Sequence, residues 1–135
     1  MAMYSNSKFV EFEFAAAGGP TTAHFLTPGR NASQATGHYV GPLPYALALV
    51  SVRVASVVAP GGAVVDTFII YSSPQGAASQ TAVGLVTLTG AAVANSNTYS
   101  TVSVAAGLLL SCQCVIGGGS AVSDVTVVAR FLKTY

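Results

Sequence analysis

At 135 residues and 13.5 kDa the chain has room for one domain with a hydrophobic core and not for two. Only 7% of its residues are charged while 52% are apolar, and the mean hydropathy is +0.62; an average soluble domain is roughly 25% charged, so the composition argues against a free monomer and for a subunit partly covered by others. A formal net charge of +1 with no cluster of Lys or Arg argues against nucleic acid as a partner, and every apolar run is interrupted well short of the roughly 18 residues of a membrane-spanning helix.

The opening Met1-Ala-Met-Tyr-Ser-Asn-Ser-Lys8 lacks the basic stretch and long apolar core of a signal peptide, so synthesis in a cytoplasm is expected. The first clear strand is Phe9 to Phe14, with Val10, Phe12 and Phe14 on one face and Glu11 and Glu13 on the other. Ala15-Ala-Ala-Gly-Gly-Pro20 ends it, and a short extended piece from Thr22 to Leu26 precedes the turn signal Pro28-Gly29. Arg30 to Gly37 reads as a polar loop, in which Asn31-Ala32-Ser33 is a chance match to a glycosylation acceptor. Gly37 to Val40 is extended again and Gly41-Pro-Leu-Pro44 is stiff.

The longest strand runs from Ala46 to Val58, with Ala48, Val50, Val52 and Val54 predicted on one face and Leu47, Leu49, Ser51 and Arg53 on the other. Pro60-Gly61-Gly62 turns the chain into Val64 to Tyr71, where Val64, Phe68 and Ile70 oppose Val65, Ile69 and Tyr71. A strand with two apolar faces is covered twice, and in so small a domain the second cover is another subunit. Ser72 to Ser79 reads as a loop, Ala82 to Thr89 as a strand, Gly90 to Asn97 as a small-residue loop and Thr98 to Val104 as a strand. After the turn at Ala105-Ala-Gly107 comes Leu108 to Ile116, with Leu108, Leu110, Cys112 and Cys114 on one face and Ser111 and Gln113 on the other. Gly117-Gly-Gly-Ser120 reads as a hairpin tip before the last strand, Val122 to Leu132, which sets Val125, Val127, Ala129 and Phe131 against Thr126, Val128, Arg130 and Leu132.

About eight strands at short spacing and no amphipathic helical period predict an all-β sandwich, and two sheets of four strands make a jelly roll the preferred topology. An immunoglobulin-type sandwich fits less well, because the chain has no Trp and its two cysteines are not spaced across the sheets.

Groups for catalysis are few. Glu11 and Glu13 share the solvent side of one strand, whereas paired glycosidase carboxylates flank a cleft from separate segments. Cys112 and Cys114, one residue apart, suit neither a mutual disulfide nor, with His24 and His38 isolated in other segments, a metal site. No nucleophile motif accompanies them, and the glycine run lacks the Lys and Ser/Thr of a phosphate loop. The reading is a non-enzymatic protein without cofactor or metal. Arg53, Asp66 and Arg130 are charges embedded in apolar strands, and a pairing of Asp66 with either arginine across a subunit interface is the expectation they raise.

The segments Ala46-Leu-Ala-Leu-Val-Ser-Val-Arg-Val54, Asp66-Thr-Phe-Ile-Ile-Tyr-Ser72, Thr98 through Val-Ala-Ala-Gly107 to Cys112, and Ser123-Asp-Val-Thr-Val-Val-Ala-Arg130 resemble the small jelly-roll domains of tailed-phage virion proteins. Such domains occur in trimeric capsid decoration or cement proteins, head fibres, and the tips of tail fibres and receptor-binding proteins. The resemblance covers roughly residues 45–135 and leaves 1–44 as a possible N-terminal attachment region of the single domain. It implies a homotrimer attached to a virion, on the capsid exterior rather than the tail because no shaft or stem is present, with the major capsid protein as partner. The alternative it implies is a tail-fibre or receptor-binding module recognising a host glycan, for which Tyr4, Tyr39, Tyr45, Tyr71, Tyr99 and Tyr135 are the candidate stacking groups. Expected subunit or capsid contacts are Tyr4, Phe9, Leu47, Leu49, Arg53, Asp66, Tyr71, Arg130, Leu132 and Tyr135.

Overall fold

The computed structural model describes residues 2–3, 8–18, 24–28, 33–34, 39–76, 79–96 and 102–134. These form strands and turns without a helix: β1 (Ala2–Met3), β2 (Phe9–Ala16), β3 (His24–Pro28), β4 (Ser33–Gln34), β5 (Leu47–Ala55), β6 (Val65–Ser73), β7 (Thr81–Thr89), β8 (Val93–Ser96), β9 (Ser103–Val104), β10 (Leu109–Val115) and β11 (Val125–Lys133).

The main strands lie in two antiparallel sheets. The first has the order β2-β11-β5-β8 and the second β3-β10-β6-β7, with β3 also touching β2 at one end through Phe14 opposite Pro28. Counted along the chain these eight strands pair first with eighth, second with seventh, third with sixth and fourth with fifth. That nesting is a long antiparallel ribbon rolled up on itself, which is the jelly roll. β2 and β3 belong to it as fully as the later strands, so residues 9–16 and 24–28 are built into the sandwich rather than standing apart from it.

Between the sheets lies one apolar core. Val10, Phe12 and Phe14 from β2 and Val125, Val127, Ala129 and Phe131 from β11 meet Phe68 and Ile70 from β6, Leu88 from β7, and Leu110, Cys112 and Cys114 from β10. The alternation read from the sequence puts these side chains inward. Phe12 and Phe131 pack edge to face with centroids 5.6 Å apart, an arrangement adding about 0.5–1.5 kcal/mol to the burial itself.

The structure corrects the reading of β5. Phe131 faces Leu49 and Arg130 faces Ser51, so Val50 is an extra residue in a bulge. One inserted residue reverses the side on which all preceding residues point. Leu47 and Leu49 are consequently buried core residues together with Val52 and Val54, and they are not contact residues. A second irregularity, between Ile70 opposite Gly84 and Tyr71 opposite Ala82, does the same in β7, turning in Val83 as well as Val86 and Leu88. The segment read as a loop from Gly90 to Asn97 contains β8, whose four residues are too few to show a period and are set by pairing with Val52 to Ala55. β4 likewise sits inside the polar segment 30–37, opposite Phe25 and Leu26. Of the strand expected from Thr98 to Val104, only β9 is assigned, and 98–101 lie outside the described residues, as do Asn31, His38 and Tyr99.

The glycine run is not a hairpin tip either, because β10 and β11 belong to different sheets. It crosses the end of the sandwich and is held there by Asp66, which is fully buried. The Gly117 amide donates to Asp66 Oδ1 at 2.8 Å and the Ser120 hydroxyl donates to Oδ2 at 2.6 Å. A side chain at Gly117 would place its Cβ 2.8 Å from the Val65 carbonyl oxygen, which is why the crossing requires glycine there. At the other end of this loop Asp124, at φ 52°, accepts from the Gly18 amide at 2.9 Å and from the Ser123 hydroxyl at 2.9 Å, tying the end of β2 to the start of β11.

Asp66→Ala should cost about 2–3 kcal/mol in urea unfolding, because it takes the acceptor from two partly buried donors, while Asp66→Asn costs less by keeping one acceptor. The Gly18 amide, then the Ser123 hydroxyl, hold the Asp124 carboxyl below its ordinary pKa against a smaller desolvation effect. A depressed folded pKa gives stability that is present above the unfolded value of about 3.9 and is lost as pH falls through the folded value. Unfolding free energy against pH should therefore fall less steeply below about pH 4 in Asp124→Asn than in the parent.

Candidate interaction surfaces

A two-sheet sandwich has two outer faces, and strand register fixes what each displays. On the first sheet the rows across β2, β11 and β5 are Glu13, Val128 and Arg53, then Glu11, Arg130 and Ser51, then Phe9, Leu132 and Ala48. On the second sheet the rows across β10, β6 and β7 are Val115, Thr67 and Thr87, then Gln113, Ile69 and Leu85, then Ser111, Tyr71 and Ala82, with Val65 and Thr89 beyond.

The chain's five basic and four acidic residues are divided unequally between these faces. Glu11, Glu13, Arg53 and Arg130 lie on the first. Among the described residues no charged side chain lies on the second, since the one charge in β6, Asp66, points inward. The second face is also the more apolar: Val65 is 48% exposed, Leu85 45% and Val115 42%, with Ile69 and Tyr71 half-buried between them. These bulky aliphatic groups, interleaved with Thr67, Thr87 and Gln113 on three adjacent strands, leave an uncharged and largely apolar face toward water.

On the first face Arg130 stands over the Phe9 ring, its guanidinium carbon 4.1 Å from the centroid. Its Nε is 4.0 Å from Glu11 Oε1, the outer limit of an ion pair, with both side chains nearly half exposed; such a pair contributes about 0–1 kcal/mol. Glu11, Ser51, Arg53, Val128 and Arg130 line a shallow open groove. Lys133 lies over the Tyr45 ring at 5.2 Å, near the end of the same sheet.

Of the contact residues expected from the sequence, Phe9, Arg53, Arg130 and Leu132 fall together on the first face, and Tyr71 falls on the second. Asp66 is enclosed and satisfied within its own chain by the Gly117 amide and the Ser120 hydroxyl, so within the chain it faces neither Arg53 nor Arg130, which stand on the outer face of the first sheet. Tyr4 and Tyr135 lie outside the described residues. Leu85 and Val115 were missed, although a signal for them exists: β6, β7 and β10 together contain no charge but Asp66.

Chemical reactivity is muted elsewhere. Cys112 and Cys114 are buried and not joined in a disulfide, and burial, then the neighbouring Cys114, pushes the Cys112 thiol well above its ordinary pKa, away from the reactive thiolate. No group of three or more His, Cys, Asp and Glu converges among the described residues.

No protein-family model and no curated protein matches the chain. Among solved structures, the cryo-EM atomic structure of Broad Bean Stain Virus is similar over 98% of this chain and 90% of that one, at 12% identity and a TM-score of 0.46. Eiger TNF from S. frugiperda is similar over 96% of both chains, at 6% identity and a TM-score of 0.36. At these scores the strand order remains the ground for the fold.

The two faces predict different responses to substitution. A charge introduced on the second face, as in Leu85→Lys, should leave the unfolding free energy in urea within about 0.5 kcal/mol of the parent, since the residue is not part of the core. Its solubility should rise markedly, as read from the concentration at which turbidity appears, whereas the same change at Leu132 on the charged face should not raise it.

Proposed function

We propose that the chain is a non-enzymatic structural subunit of a bacteriophage virion, a decoration or cement protein that binds the capsid exterior as a homotrimer and reinforces the shell. The observation that carries this reading is the uncharged outer face of the second sheet, with Val65, Ile69, Tyr71, Leu85 and Val115 in a patch on three strands. Covering that face with protein removes apolar area from water at about 25 cal/mol per Å² and desolvates no ion. A contact of this kind suits a permanent assembly better than a transient encounter.

The mechanism is mechanical. An oligomer placed over a junction between shell subunits adds buried area to contacts that internal pressure pulls apart, and symmetric repetition multiplies a modest contact over the particle. The jelly roll serves this because its strands are tied to their neighbours by backbone hydrogen bonds and its two sheets share one core, so a load on one face is spread over both sheets. The groups that could perform chemistry have structural roles here: Asp66 holds the crossing loop, Asp124 ties β2 to β11, and the thiols are in the core.

The test is the copy number of the protein in purified particles relative to the major shell protein. Decoration predicts hundreds of copies in a ratio set by shell symmetry, and particles lacking the protein that release their genome at lower temperature. A handful of copies per particle would favour the tail-fibre or receptor-binding module instead, and none would end the virion reading.

A further inference from the structure

We infer that the groove on the outer face of the first sheet binds a carboxylate, presented as an acidic side chain by a neighbouring protein chain and gripped by Arg53 and Arg130. The inference does not require the virion reading.

Register brings the two arginines together. Arg130 lies opposite Ser51 and Val128 opposite Arg53, so the guanidinium groups rise from diagonal positions on adjacent strands, with the serine hydroxyl and the valine between them. Diagonal neighbours on one face are within reach for side chains of this length. Arg53 is exposed and has no ion pair or hydrogen bond among the described residues. Arg130 is oriented by the Phe9 ring and approaches Glu11 no closer than 4.0 Å, so the donors of its guanidinium fork are not consumed by that contact. The groove's lining therefore contains two guanidinium groups and one carboxylate, with Glu13 standing in the same row as Arg53 beyond Val128, and the Arg53 guanidinium has no ion pair among the described residues.

Guanidinium forks match a carboxylate with two parallel N–H···O bonds, and a second guanidinium with a hydroxyl beside it completes the ring of donors. Stacking on Phe9 removes part of the conformational entropy that an arginine loses on binding, which makes the site prepared rather than merely charged. A phosphodiester chain would call for a run of such cations, and here only these two share the groove. An acidic sugar would call for an aromatic platform, and none of the groove's lining residues is aromatic. A carboxylate on a protein side chain fits what remains. In a chain whose other sheet presents an uncharged face, this groove supplies a directional and salt-sensitive contact on the opposite side.

The test uses the full-length chain, with arginine Nε–Hε resonances followed by NMR during titration with hexaglutamate peptide and, separately, with N-acetylneuraminic acid. The expected result is saturable shifts for Arg53 and Arg130 with the peptide, weakened several-fold when salt is raised from about 0.05 M to about 0.3 M. They should be lost in Arg53→Gln, with melting temperature unchanged. Arg53→Lys, which keeps the charge but not the fork, should bind more weakly than the parent and more tightly than Arg53→Gln. Three outcomes would overturn the inference: no saturable shift, the same shift in Arg53→Gln, or saturation by the sugar acid alone. Light scattering on the same samples reports oligomeric state separately, so loss of this site and loss of the assembly reading are distinguishable.

Discussion

The fold depends on where its last strand lies. β11 occupies the middle of the first sheet, paired along its length with β2 on one side and β5 on the other, so within that sheet the beginning of the chain and its centre are bridged by its end. Its inward Val125, Val127, Ala129 and Phe131 are fully buried and form the floor on which the second sheet closes. Nearly everything that holds the sandwich together is thus a contact between residues distant in sequence, the condition that makes folding slow and cooperative. The two carboxylates that flank the approach to β11 fit this arrangement. Asp66 fixes the loop that delivers the strand and Asp124 fixes its first turn against β2.

That arrangement also explains which parts of the structure are legible in the sequence. Strands buried on one face show their period directly, so Val10, Phe12 and Phe14, Leu110, Cys112 and Cys114, and the inward side of β11 can be read off. β5 and β7 cannot be read in the same way, because a single bulge residue in each reverses the alternation partway along, and alternation is all the sequence offers there. Short strands such as β8 exist only through their partners. The glycine run looks like a hairpin for a related reason: sequence shows that the chain turns but not that it changes sheets. Asp66 is the instructive case. Embedded in an apolar strand, a charge demands a partner, and that part of the inference holds; the partners turn out to be an amide and a hydroxyl 51 and 54 residues away in the same chain.

The low charge of the chain takes on a more specific meaning in three dimensions. Spread evenly, five basic and four acidic residues would give a weakly polar surface all round. Instead four of them stand on the outer face of the first sheet, two tie loops, Asp66 from the interior and Asp124 at the surface, and the outer face of the second sheet has none among the described residues. The sandwich is therefore two-sided. One face is suited to water and to an ionic partner, and the other to being covered. The proposed role in a shell draws on that polarity rather than on composition alone, since a decorating subunit must both bury one surface and present another.

The most direct measurement of this account is the oligomeric state in solution, by multi-angle light scattering of the parent chain and of Ile69→Lys, a change at the centre of the uncharged face. A defined oligomer for the parent, converted to folded monomer by the substitution, is the predicted result. A parent chain that is monomeric at micromolar concentration, or an Ile69→Lys variant that retains the parent's oligomeric state, would contradict the claim that this face is the one the assembly covers.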